Sequence, residues 1–113
     1  MVKHLNECIL ACEDCVVGCI SNGDSTCVSS CMVCEKVCKA LKLAIKCNCN
    51  NETITSLKNA CSHACKQCIK MCKGKKMKCC QDCVKKCQAV LKELPNIGNK
   101  HLKKSMKKSM KNK

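Results

Sequence analysis

The sequence predicts an all-α, up-down-up-down four-helix bundle with a cysteine-lined core. Three observations predict it. The first is a cysteine spacing, C-x3-C-x2-C-x3-C, complete at Cys8, Cys12, Cys15 and Cys19, at Cys27, Cys31, Cys34 and Cys38, and at Cys61, Cys65, Cys68 and Cys72. A fourth copy keeps three of its slots at Cys80, Cys83 and Cys87, with Lys76 where the first cysteine would stand. At about 100° per residue, these offsets fall within a sector of roughly 60° on a helix, so each copy stacks its thiols in one column. The second observation is that only about 4–6 residues of turn-forming sequence separate the predicted helices, which makes successive helices antiparallel neighbours. The third is a chain of 113 residues with 18 cysteines and no Phe, Trp or Tyr, so Leu, Ile, Val and Cys must fill the interior.

The first helix is expected from Val2 to Ile20, ended by the turn Ser21-Asn22-Gly23-Asp24. Asp24 or Ser25 is placed to cap the second helix, which carries its column past Cys38 through Leu41 and Ile45 until Asn48-Cys49-Asn50-Asn51 breaks it. Thr53 or a neighbour caps the third helix, and Gly74 ends it. The fourth starts between Lys75 and Met77 and stops at Pro95, which has no N–H to give. Residues 1–95 thus form the bundle, and residues 96–113 a flexible basic tail rich in Lys and Met.

Alternating directions make the two ends unlike. Met1, His4, Leu5, Leu41, Ile45, Ile54, Leu57, Val90, Leu91 and Leu94 extend the columns at one end and form an apolar plug. At the other, Cys19, Cys27, Cys72 and the Lys76 slot reach two short polar turns, which reads as an open mouth for metal. Leu10 and Val17 lie opposite the first column, and Val33, Ala40 and Leu43 on the outer side of the second helix, a pattern that favours self-association.

The length allows one domain. The N-terminal residues show no secretory signal pattern and no apolar run long enough to span a bilayer, so a cytoplasmic location without membrane attachment is expected. Thiols stay reduced there unless metal holds them. Of the net charge of +14, half comes from the seven lysines of residues 96–113. Leu102, Met106 and Met110 share a face if that tail coils, and its lysines could meet phosphates. No aromatic side chain is present to stack on bases, so nucleic acid is an unlikely partner. No constellation of Ser, His and acid, nor a carboxylate pair, supports an enzyme.

Sulfur's softness points to the cargo. Cu(I) prefers thiolates and is satisfied by two or three of them, and cysteines one helical turn apart have Cβ atoms about 5–6 Å apart. A lone zinc site needs four ligands and usually carries C-x2-C knuckles. A metallothionein-like buffer for zinc or mixed metals remains an alternative, as does a basic nucleic-acid-binding protein with structural thiols. Disulfide-stapled hairpins need an oxidising compartment. Iron–sulfur ligation lacks its C-x2-C-x2-C run. Outside the repeat, Cys79 stands one turn before Cys83 and can join the ligands; Cys49 follows Cys38 by eleven residues and stays on the second column if that helix persists. Cys47 is a candidate ligand too, although it points away from that column in an unbroken helix. His4, near the extension of the first column, and Met77, at the mouth, are further candidate ligands, whereas His63, Met32 and Met71 fall off the columns.

At these residues the chain resembles the bacterial copper storage proteins, over about residues 4–94 and all four columns. The resemblance, to the cytosolic branch, implies a four-helix bundle that binds many Cu(I) ions through inward cysteines, commonly as a homotetramer. It implies core ligands at the fifteen cysteines of the repeat, Cys8 through Cys87. Lys76 and the Lys/Met-rich tail depart from the pattern.

Overall fold

The structure, a computed structural model, describes residues 2–111, with side chains over residues 2–97. Four helices follow one another: α1 (Lys3–Ser21), α2 (Val28–Lys46), α3 (Asn51–Cys72) and α4 (Lys78–Lys111). Each packs against its two neighbours in a closed ring, α1 on α2 and α4, α3 on α2 and α4. The expected bundle with a cysteine-lined core is what forms.

Local chemistry explains the boundaries. Gly23 at φ 71° ends α1: its N–H donates to the Ile20 carbonyl and the Asp24 N–H to the Cys19 carbonyl, a Schellman closure. Asn48, at φ 55°, ends α2 in the same way, with the Asn48 N–H on Ile45 and the Cys49 N–H on Ala44. At the end of α3, Lys73 and Gly74 (φ 87°) are the central residues of a type II turn closed by the Lys75 N–H on the Cys72 carbonyl, which calls for glycine at position 74.

Three expectations change. The Asp24 carboxylate accepts from the Thr26 N–H and hydroxyl, 3.0 and 2.7 Å away, in an Asx turn, so neither it nor Ser25 caps α2; Cys27 stands at the cap position. The α3 cap is Asn50, whose side-chain oxygen accepts from the Thr53 N–H at 2.8 Å, rather than Thr53. And α4 does not stop at Pro95 but runs through it to Lys111. Pro95 removes one intrahelical donor, yet burial of Ile97, 1 % exposed, rewards continuation of the helix by another turn.

The plug forms as anticipated. Leu5, Leu41, Ile54, Val90 and Leu94 are buried, while Ile45, Leu57 and Leu91 pack half-buried against them. Ile9, Ala44 and Ile97 complete it. Met1 and the side chains of Leu102, Met106 and Met110 lie outside the described residues. Between neighbouring helices, Lys39 sits 2.8 Å from Glu35 and 3.3 Å from Glu13, and Lys86 lies 3.5 Å from Glu7, ties that join α1 to α2 and to α4.

Candidate metal centre

The fifteen cysteines of the repeat are also the fifteen buried cysteines. Each is at most 1 % exposed. The helical phase of the spacing does this: every column occupies one narrow face, and all four faces turn inward. Their sulfurs form one connected body running along the bundle axis. Near the plug, Cys38 is 3.6 Å from Cys61 and 4.0 Å from Cys8, and Cys8 is 3.9 Å from Cys34 and 3.7 Å from Cys87. Midway, Cys68 lies 3.3 Å from Cys83 and 3.6 Å from Cys31, and Cys12 lies 3.8 Å from Cys83. Toward the turns, Cys15 is 3.8 Å from Cys72 and 3.7 Å from Cys80, and Cys19 is 2.8 Å from Cys27. Helices on the diagonals touch through sulfur, as Cys31 does Cys83 at 4.0 Å.

Groups of four sulfurs mutually within 4.8 Å recur along this body: Cys8, Cys12, Cys34 and Cys87; Cys8, Cys34, Cys38 and Cys65; Cys12, Cys68, Cys83 and Cys87; Cys15, Cys31, Cys72 and Cys83. The groups overlap. Cys8, Cys12, Cys34, Cys83 and Cys87 each serve two of these. Burial pushes the Cys15, Cys19 and Cys80 thiols above the usual range, so they hold their protons near neutral pH until a cation replaces them.

The residues outside the repeat are dispersed. Cys79 is half-buried in the first turn of α4 and joins Cys15, Cys19 and Cys80 in a further four-sulfur group. Cys49 does not continue the second column, because α2 has ended at Lys46; its backbone bond to Ala44 instead folds it half-buried against the core. Cys47 is exposed at the α2 cap. His4 sits 3.8 Å from Glu7, its buried Nδ1 without a hydrogen-bond partner. Met77 packs half-buried on the core just before α4, and its carbonyl accepts from the Cys80 and Gln81 N–H groups.

The turn end is not an open mouth. Cys19, Cys27, Cys72 and Cys80 are at most 1 % exposed, Lys75 bridges the two turns, its ammonium 2.6 Å from Asp24 and 2.5 Å from the Thr26 hydroxyl, and the surface pocket that reaches Cys72 is lined by Lys73, Lys75, Lys76 and Lys85. The cation spanning this end is Lys75; Lys76 is exposed and precedes α4, so its slot is not on the fourth helix. Sequence reasoning missed this bridge, because it carries no periodic signal.

An all-helical bundle enclosing a continuous body of thiols defines a metal–thiolate storage protein. A family model for copper storage proteins matches residues 1–97, and the chain belongs to that family. Its many clustered, buried cysteines suit storage of Cu(I) as thiolate. No curated protein and no solved structure matches the chain.

Proposed function

We propose that the chain stores and buffers many Cu(I) ions in the cytosol, without a catalytic role, on the thiolates of Cys8, Cys12, Cys15, Cys19, Cys27, Cys31, Cys34, Cys38, Cys61, Cys65, Cys68, Cys72, Cys79, Cys80, Cys83 and Cys87. The observation that carries this is the sharing of sulfurs between adjoining groups. Ions that take two or three sulfurs each can fill such a body layer by layer, with sulfurs bridging neighbouring ions. Zinc would divide it into separate tetrahedra, each with a net charge of about −2. Among the described residues no lysine is buried to offset that charge; Glu35 is the buried charged side chain. One Cu(I) per thiolate is neutral.

No helix among the described residues is long and apolar enough to cross a membrane. Exposed Leu10, Val17 and Ile20 on α1, with Met32, Val33 and Leu43 on α2, support self-association, with the homotetramer as the expected form. The storage bundle takes in Ile97, which is buried in the plug, and the basic stretch after it is an appendage. Cys49 stands at the rim of the plug, where it and His4 would bind peripheral copper. The test is metal analysis of protein purified anaerobically from cells grown with added copper. Copper far in excess of zinc is expected; zinc at about four ions per chain, the number that fifteen or sixteen ligands allow as separate tetrahedra, would replace this reading with a zinc buffer.

A further inference from the structure

At the turn end the pocket that reaches Cys72 is lined by four lysines and no carboxylate, the other end is plugged, and a cation needs another way in. Cys79 offers one. Its sulfur lies within 4.8 Å of those of Cys15, Cys19 and Cys80, all buried, while Cys79 itself is half-buried and faces a surface groove between α1 and α4. The charged lining of that groove is Glu7, Asp14 and Asp82 against Lys78 and Lys86, with Lys86 3.5 Å from Glu7, so Asp14 and Asp82 face it from opposite helices and carboxylates outnumber ammonium groups three to two. Gly18 makes the position available. A Cβ added there would come 2.6 Å from the Cys79 sulfur and 3.4 Å from its Cβ, so any other residue in α1 would push the sulfur out of the seam. Glycine inside a helix costs stability relative to alanine, and at position 18 that loss coincides with a place where an outer thiol meets the column.

We infer that Cu(I) enters the sulfur column laterally, through the α1–α4 seam, with Cys79 as the capturing thiol and Gly18 as the gap that joins it to Cys15, Cys19 and Cys80. This rests on the storage reading above. Capture is a ligand exchange. Cu(I) on a small chelating donor bonds to the Cys79 sulfur as that thiol gives its proton to water. A second bond forms to Cys19 or Cys80, whose proton follows, and the donor leaves. When a third sulfur, that of Cys15 or of the remaining one of Cys19 and Cys80, binds and gives up its proton, Cys79 is released and takes back a proton. Copper remains Cu(I) throughout, so no oxidant or reductant is involved.

The experiment follows anaerobic copper transfer from the Cu(I) complex of bathocuproine disulfonate, read by loss of the chelator's colour in a stopped-flow instrument. The wild-type chain is compared with Cys79→Ser and Gly18→Ala, each checked for native helicity by circular dichroism. Cys79→Ser is expected to slow loading by roughly tenfold, since it removes the accessible sulfur that first takes the ion, while lowering the endpoint by at most about one ion. Gly18→Ala keeps every thiol and is expected to slow loading with the endpoint unchanged. Wild-type rates in both variants would overturn lateral entry while leaving storage intact. If Gly18→Ala disturbs the bundle, the Cys79→Ser rate decides alone. A wild-type chain that draws no copper from the chelator would instead remove the storage reading, and with it the route.

Discussion

Leu41→Ala tests whether the apolar plug, rather than metal, holds the empty bundle together. Leu41 follows Cys38 by three residues on α2, so the helix turns it onto the thiol column, and it is 0 % exposed among Leu5, Ile54, Val90, Leu94 and Ile97. The substitution removes three carbons, a transfer loss of about 2.4 kcal/mol at ~0.8 per buried methylene. The cavity left among rigid helices adds to it, giving about 3 kcal/mol in all. For a domain of this size that lowers the melting temperature by roughly 10–15 °C. Without Trp or Tyr the chain has no useful fluorescence, so thermal and urea unfolding of the reduced, metal-free protein are followed by far-ultraviolet circular dichroism. Leu91→Ala, at a half-buried position, is expected to cost only about 1 kcal/mol. The copper endpoint should not change in either variant, because neither side chain offers a ligand. A Leu41→Ala loss under about 1 kcal/mol, or a random-coil spectrum for the metal-free wild type, would refute the reasoning.

Two further outcomes follow from ionisation. Hydrogen bonds from Lys75 and Thr26 hold the Asp24 carboxyl well below the usual carboxylate range. A carboxylate favoured in the folded state contributes stability above its unfolded pKa, near 4, and loses it as pH falls through the folded value. Asp24→Asn should therefore destabilise the chain near neutral pH, slightly because the pair is only partly buried and water screens it, and converge with wild type in acid; a gap that widens on acidification would contradict the bridge. Burial keeps Cys15, Cys19 and Cys80 protonated near neutral pH, so a pH-stat should record about one proton released per thiol engaged by copper, and loading should weaken as pH falls. Loading without proton release would mean that the thiols were already ionised.

What the sequence discloses here is what helical periodicity can carry. The offsets within each column place all fifteen repeat cysteines in the interior, and the same steps extend to Leu5, Leu41 and Leu94 in the plug. Competition among local bonds is less legible. Asp24 looks like a helix cap, but Thr26 and Lys75 engage it first. Pro95 looks like a stop, but Ile97 has a core to enter. Cys49 keeps the right spacing, yet Asn48 in the left-handed region ends the helix before it. Farthest from local pattern are contacts that exist only once helices meet: Lys75 reaching the other turn, and Cys79 filling the space beside Gly18. Glycine at position 18 reads from sequence as a weak helix residue, and its meaning comes from the helix packed against it.

The central claim, that overlapping thiol groups store Cu(I) in bulk, is tested most directly by anaerobic titration of the reduced chain with Cu(I), following the ultraviolet thiolate-to-metal band. That band rises against almost no protein absorbance, since the chain has neither Trp nor Tyr. The expected endpoint is about one Cu(I) per thiol, on the order of 15–20 per chain, as bridging sulfurs in adjacent layers permit. A break at about four equivalents, the capacity of separate tetrahedral sites, would contradict it.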